Sequence, residues 1–195
     1  MLVSSRSLYF ATSNKHKFNE AKDVLKDYNF KLKIIKSKFE EIQSDDLRKI
    51  ALHALSKALI IDKSPMIVED AGLFINALNG FPGPYSSYVH RTLGIDGIIK
   101  LMSSKDDREA EFRSVVAFSD FSITKTFQGV VRGMISIQPR GKSGFGFDPI
   151  FIPKGLEKTF AEMSLEDKNR YSHRAIALKK FATWYMKFIN KSKMN

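Results

Sequence analysis

The chain has 195 residues, a formal net charge of +11 from 32 Lys+Arg against 21 Asp+Glu, and no cysteine. That length suits one domain over 1–195, two-lobed at most, and it is long enough to bury a core without staples. Without cysteine, disulfides, thiolate zinc sites and a cysteine nucleophile are all excluded. No apolar run approaches the ~20 residues of a membrane span, and Met1 to Phe10 lacks a signal-peptide pattern. The expectation is therefore a cytoplasmic protein with no membrane partner. The positive balance favours anionic partners through the summed field, although lysines such as Lys187, Lys191 and Lys193 also serve solubility.

Ser7 to Thr12 is short, apolar and aromatic, as a buried strand is. Asn14 to Lys26 carries Phe18, Ala21, Val24 and Leu25 at helical spacing. Leu32 to Lys36 alternates like a second strand. Ser44 to Ile61 repeats apolar residues at i, i+3, i+4 and i+7, with Ser44 read as its N-cap. Met66 to Val68 is a third strand that ends in two acids. Phe81-Pro82-Gly83-Pro84 is a stiff loop, since proline fixes φ and withholds a donor. Tyr85 to Met102 is helical, with a break near Gly94 to Gly97. A hairpin follows from Glu111 to Phe118 and from Ser122 to Val131, turning near Ser119-Asp120. Gln138 to Asp148 is a glycine-rich loop, and Ser172 to Ile189 is a terminal helix. No linker or repeat interrupts this order, which predicts an α/β fold around one sheet with a hairpin-bearing lobe.

Several segments break the rules of ordinary structure. Cations in a helix's first turn face the positive end of its dipole, at a cost of roughly 0.3–1 kcal/mol each. Lys15 and Lys17 do so after a buried strand, and His173-Arg174 does so at the last helix. A strand leading into a helix N-terminus offers backbone N–H groups to an anion, so a polyanion above Ser13-Asn14-Lys15-His16-Lys17 explains the lysines. The Gly-x-x-x-x-Gly-Lys pattern of P-loop enzymes is absent. Lys57 falls about 20° outside the apolar arc of its helix, so it either snorkels or lines a cleft. Glu69 and Asp70 stand where an apolar strand ends, the usual ligand end of an open α/β sheet. Glu40 and Glu41 precede the long helix, and oxygen ligands from two segments suit Mg²⁺ completed by phosphates. In Gly144-Phe145-Gly146-Phe147-Asp148, rings between glycines can face a planar base, worth about 1–3 kcal/mol in stacking.

Taken in order, Thr12-Ser13-Asn14-Lys15-His16-Lys17, Val68-Glu69-Asp70-Ala71-Gly72-Leu73, Gly80-Phe81-Pro82-Gly83-Pro84-Tyr85-Ser86-Ser87, Gly144-Phe145-Gly146-Phe147-Asp148-Pro149-Ile150-Phe151 and Thr159-Phe160-Ala161-Glu162-Met163 through Ser172-His173-Arg174 resemble the inosine triphosphate pyrophosphatase family. The resemblance implies a two-lobed α/β fold, with a long mixed central sheet flanked by helices and an active-site cleft between lobes. It implies a homodimer that uses Mg²⁺ to hydrolyse ITP, dITP and XTP to the monophosphate and pyrophosphate, cleansing the nucleotide pool. By position, Asp70 is the metal ligand and catalytic base, and Glu41 the second metal ligand. Thr12, Ser13, Asn14, Lys15, His16 and Lys17 form the triphosphate turn, with Ala71, Lys57 and Lys168 as further contacts. Phe145, Gly146 and Phe147 hold the base, and Asp148, His173 and Arg174 read its edge. Ser13 stands where the family usually has glycine, and Ala71 where it usually has serine.

A single-strand RNA-binding module, with Phe145 and Phe147 stacking on bases, is a different way to use the same rings and lysines. It leaves Asp70 and Glu41 without a purpose, and no stable nucleic-acid partner is expected.

Overall fold

The computed structural model describes residues 6–36 and 42–192. In chain order it has β1 (Arg6–Ala11), α1 (Lys15–Lys26), β2 (Phe30–Ile35), α2 (Leu47–Ile61) and β3 (Met66–Ile75). Next come β4 (Pro82–Gly83), α3 (Ser86–Thr92), α4 (Gly94–Leu101), β5 (Glu109–Ser119) and β6 (Thr124–Ile135). The chain closes with β7 (Phe151–Pro153), α5 (Leu165–Tyr171) and α6 (His173–Ser192). The strands form one mixed seven-stranded sheet in the order β2-β1-β3-β5-β6-β7, with β4 beside β3. The α/β class, the hairpin and the helix break at Gly94 are as the sequence implies. No helix among the described residues is long and apolar enough to cross a membrane.

Three expectations need correction. Asp46, not Ser44, caps α2: its carboxylate accepts the Arg48 N–H at 2.8 Å, and the Ser44 hydroxyl accepts the Asp46 N–H at 3.1 Å. The third strand does not end at the acids but runs through them to Ile75, because β5 pairs with its whole length from Met66 opposite Ser119 to Ile75 opposite Ala110. A short helix, α5, stands where no element is expected; its seven residues are too few to show a period.

On its other edge β3 changes partner. It lies parallel to β1 through Phe10 opposite Ile67, and is joined by β4 only from Leu73 opposite Gly83. Val68 to Gly72 therefore has an open edge between the two partners, and both acids fall inside it. Alternation sends Asp70 to the face that α2 covers and Glu69 to the face under α1 and α6.

Three apolar clusters build the lobes. Leu8, Phe10, Ile67, Val116 and Phe118 pack under Val24, Leu25, Leu178 and Phe181 of α1 and α6. Met66, Val68, Val115 and Ala117 pack under Leu47, Ala51, Leu55 and Ala58 of α2. The second lobe gathers Leu73, Ile75, Phe112, Ile135 and Phe151 with Val89, Ile98, Met102 and Phe160.

The start of α6 is seated directly on the sheet. A Cβ built on Gly129 of β6 would stand 2.0 Å from the His173 carbonyl oxygen and 2.6 Å from the Ala177 nitrogen. Both contacts are backbone, so neither can swing aside. Gly129→Ala is therefore expected to lift α6 and destabilise the protein by about 1–3 kcal/mol, as overpacking does, which a denaturant melt would measure.

Candidate active site

Between the lobes, a cleft of about 670 Å³ is lined by the β1–α1 turn, Asp70 to Gly72, α3, the Phe145 loop and the start of α6. The turn is organised by its own side chains. The Thr12 hydroxyl accepts the Asn14 N–H at 3.1 Å, and Asn14 caps α1 by accepting the His16 and Lys17 N–H groups at 2.9 and 3.2 Å. Three N–H groups of the turn expected to be open to an anion are thus already satisfied. Lys17 reaches across the open edge of β3, where its ammonium meets the Glu69 carbonyl at 3.1 Å and the Glu69 carboxylate at 3.0 Å. It stands 4.0 Å from the carboxylate of Asp70.

Behind this wall the charges alternate. Glu69 accepts from the Ser114 hydroxyl at 2.6 Å and forms an ion pair with Arg174, whose Nε lies 3.1 Å from its carboxylate. Arg174 also grips Glu20, and Glu20 meets the Lys168 ammonium at 2.7 Å. Lys168 ends the chain on Asp148 at 2.5 Å. Glu20, Glu69, Asp148, Lys168 and Arg174 are all at most 5% exposed. Burial alone would raise Glu69, but Arg174, Lys17 and the Ser114 hydroxyl hold it far below the usual carboxylate range. Glu20 is likewise held low by Arg174 and Lys168 against its burial. At Asp148 burial wins and raises the carboxyl, despite Lys168 and the Phe145 N–H. Burial, with the charge of Arg174, keeps the His173 imidazole neutral well below its ordinary 6.5. That ring stacks on Phe112 with centroids 4.6 Å apart, and its Nδ1 is buried with no hydrogen-bond partner.

The aromatic loop is tied shut by Asp148, whose Oδ2 accepts the Phe145 N–H at 2.8 Å. Gly144, at φ +75°, is required there, since a Cβ would lie 2.1 Å from that oxygen. Phe145 is half-buried, with Lys168 and Arg174 facing its ring at 5.0 and 5.3 Å.

A model of the Ham1 family matches residues 8–184. The chain belongs to that family. It is 50% identical over 180 residues to a dITP/XTP pyrophosphatase of Saccharolobus solfataricus, covering 92% of this chain and 94% of the relative. A dITP/XTP pyrophosphatase of Methanopyrus kandleri is 48% identical over 177 residues, 90% of this chain and 94% of its own. The Ham1 protein of Coxiella burnetii superposes with a TM-score of 0.81 at 29% identity, covering 93% of this chain and 99% of that one. The Staphylococcus aureus Ham1 protein gives 0.78 at 29%, over 93% and 98%. The resemblance read from the motifs is borne out by these relatives.

In this Ham1-family chain, Thr12, Ser13, Asn14, Lys17, Asp70, Ala71, Phe145, Gly146, Phe147, Asp148, Lys168, His173 and Arg174 line one cleft. Others are placed differently. Lys57 is exposed and off the cleft wall: Ile50 and Ala54 of its helix line the cleft, while its long side chain turns to water. Lys15 is exposed at the first helical position and lies off the wall too. His16 is drawn from the phosphate turn onto Phe145, stacked at 5.1 Å. Phe147 is not a free stacking ring but a core residue, 2% exposed, against the edge of His90 at 5.3 Å. Lys168 stands at the ring end of the cleft, held there by Asp148 and Glu20. Glu41 lies outside the described residues.

Glu20 and Ser114 escape sequence reasoning as parts of the site, and Glu69, noted beside Asp70 at the strand's acid pair, turns out to be a buried partner of cations. The signal for Glu20 is an acid on the apolar stripe of α1, beside Ala21 and one turn before Val24. His90 and Arg91 of α3 also line the cleft and carry no sequence signal beyond their charge.

As to a metal, Asp70 presents its carboxylate to the cleft at 18% side-chain exposure. No group of three His, Cys, Asp or Glu that could hold a metal ion occurs among the described residues. This donor set fits Mg²⁺, which is held by one or two carboxylates with substrate phosphates rather than by an all-protein cage.

Two outcomes follow from the buried charges. Glu20→Ala leaves Arg174 and Lys168 undercompensated and should cost about 3–5 kcal/mol by denaturant titration, as breaking a buried pair does. His173 is depressed in the folded state, so its contribution is complete above the ordinary 6.5 and is lost as pH falls below it. Stability should decline from near pH 6.5 downward, and His173→Asn should remove that limb of the pH profile.

Proposed function

We propose that this chain hydrolyses non-canonical purine nucleoside triphosphates (dITP, ITP and XTP) to the monophosphate and pyrophosphate with Mg²⁺. The observation that carries the reading is the convergence, in one cleft, of a cationic phosphate turn, the Asp70 carboxylate and the Phe145–His173–Arg174 wall. Membership of the Ham1 family and the names of its dITP/XTP pyrophosphatase relatives support it.

Phosphoanhydride hydrolysis asks the protein for positioning and charge neutralisation more than for covalent chemistry. The turn from Thr12 to Lys17 would seat the phosphate tail, with Lys17 as a compact point charge. Bound Mg²⁺, held by Asp70 and, as the resemblance implies, Glu41, would supply charge neutralisation on the phosphate oxygens. Asp70 would orient a water for in-line attack at the α-phosphorus. Phe145 would take one face of the base. Pool cleansing is the role that this substrate class implies.

Selectivity follows from hydrogen-bond parity. Hypoxanthine and xanthine offer an O6 acceptor and an N1–H donor, whereas adenine offers an amino donor and a bare N1. The Arg174 guanidinium can only donate, and its pairing with Glu20 and Glu69 fixes its direction. Facing adenine it would leave a donor unpaired, at roughly 1–3 kcal/mol.

The test is pyrophosphate release from ITP, dITP, XTP, GTP and ATP, with and without Mg²⁺. Release from ITP and XTP that requires Mg²⁺ and far exceeds that from ATP is the expected result; equal kcat/KM for ATP and ITP defeats the base-edge account. Asp70→Asn should lower kcat by about 10²–10⁴, the range of general-base loss.

A further inference from the structure

Each ligand-facing cation in the first lobe's wall is already paired with an acid. Lys17 is held by Glu69, Arg174 by Glu69 and Glu20, and Lys168 by Glu20 and Asp148. These pairs neutralise the wall, so it offers little uncompensated charge to a triphosphate of several negative charges. Arg91 differs. It lines the same cleft from α3, on the second lobe, and no hydrogen bond or ion pair joins its guanidinium to any described residue.

The placement of Arg91 is built in. The Ser86 hydroxyl accepts the Leu73 N–H at 2.8 Å and donates to the Gly83 carbonyl at 2.7 Å, which fastens the start of α3 to β3 just beyond Asp70. Val89 is 5% exposed and anchors the opposite side of α3 in the second lobe's core. One turn apart, Ser87 and Arg91 then share one stripe and Ser86 and His90 another, and all four line the cleft. His90 is spent on the ring of Phe147. Arg91 is left as a guanidinium beside a serine hydroxyl, a pairing suited to phosphate oxygens because the planar fork donates two parallel N–H groups.

We infer that Arg91 grips the polyphosphate tail from the second lobe, opposite the β1–α1 turn, so that the tail bridges the lobes. The inference rests on the triphosphate reading above but is tested without catalysis. Inorganic pyrophosphate is titrated calorimetrically, with Mg²⁺, into the wild-type chain and into Arg91→Gln, Arg91→Lys and, as a charge control, Arg170→Gln. Arg170 is an exposed residue of α5 paired with Glu166 and Asp167, and it is not in the cleft wall.

Arg91→Gln should weaken pyrophosphate about tenfold, the scale of a charged hydrogen bond at a half-wet site. Arg91→Lys should recover part of that loss, Arg170→Gln should match the wild type within twofold, and inosine monophosphate should bind all four alike. Where triphosphates turn over, the loss should appear in KM more than in kcat. Pyrophosphate binding that is unchanged in Arg91→Gln, or weakened equally by Arg170→Gln, overturns the inference, as does no binding by the wild type. An equal loss for inosine monophosphate also overturns it, placing Arg91 at the base end. Failure of the enzyme reading looks different: pyrophosphate binds and depends on Arg91, yet no triphosphate is cleaved. Because Arg91 is exposed and unpaired, the melting temperature of Arg91→Gln should stay at the wild-type value, separating lost contact from lost fold.

Discussion

Taking a carboxylate out of water costs several kcal/mol unless cations meet it at close range. This protein does so at Glu20, Glu69 and Asp148, and the sequence of partners from Lys17 through Glu69, Arg174, Glu20 and Lys168 to Asp148 alternates in sign throughout. Each interior ion has an opposite neighbour on both sides, so removing any one exposes two others. The alternation ties together the phosphate turn on α1, the acid edge of β3, the aromatic loop, α5 and the start of α6. Apart from α5 and α6, which adjoin, none of these segments is near another in sequence.

The network also explains why buried charge is kept where apolar packing would be as stable. Hydrophobic replacements of a buried ion pair are often neutral or stabilising, so its retention points to the directions the ions impose. Arg174 is held in one direction at the cleft wall by Glu20 and Glu69. Lys168 faces the Phe145 ring because Asp148 and Glu20 hold its ammonium. Burial, with the charge of Arg174, keeps the neighbouring His173 neutral, so the base end of the cleft combines a fixed cation with an uncharged imidazole.

Much of this was readable in the chain. The apolar period of α2, the helix that opens at the lysine turn of α1, the hairpin of β5 and β6 and the glycine–phenylalanine loop follow from local spacing, and the motif order points to the family. Lys57 shows the limit: its angle on the helix wheel puts it at the rim, but a long flexible side chain at a rim can go either way, and here it goes to water. Phe147 shows another. Glycine neighbours suggest a presented ring, but the loop turns its second ring inward, where His90 and the core receive it. The length of β3 was not legible, because adjacent acids look like a strand end until an antiparallel partner spanning both is known.

By itself, then, the sequence determined the α/β class, the order of the main elements, the family and the membership of most of the cleft, because these depend on periodicity and on short contiguous motifs. Only the tertiary structure decided which charges face each other. Glu20 meets Arg174 across 154 residues and Lys168 across 148, and Coulombic pairing at 3 Å depends on distance in space, about which separation along the chain says nothing. The open edge of β3, and with it the place where the acids meet the phosphate turn, exists only because β1 stops and β4 begins at different points along the same strand.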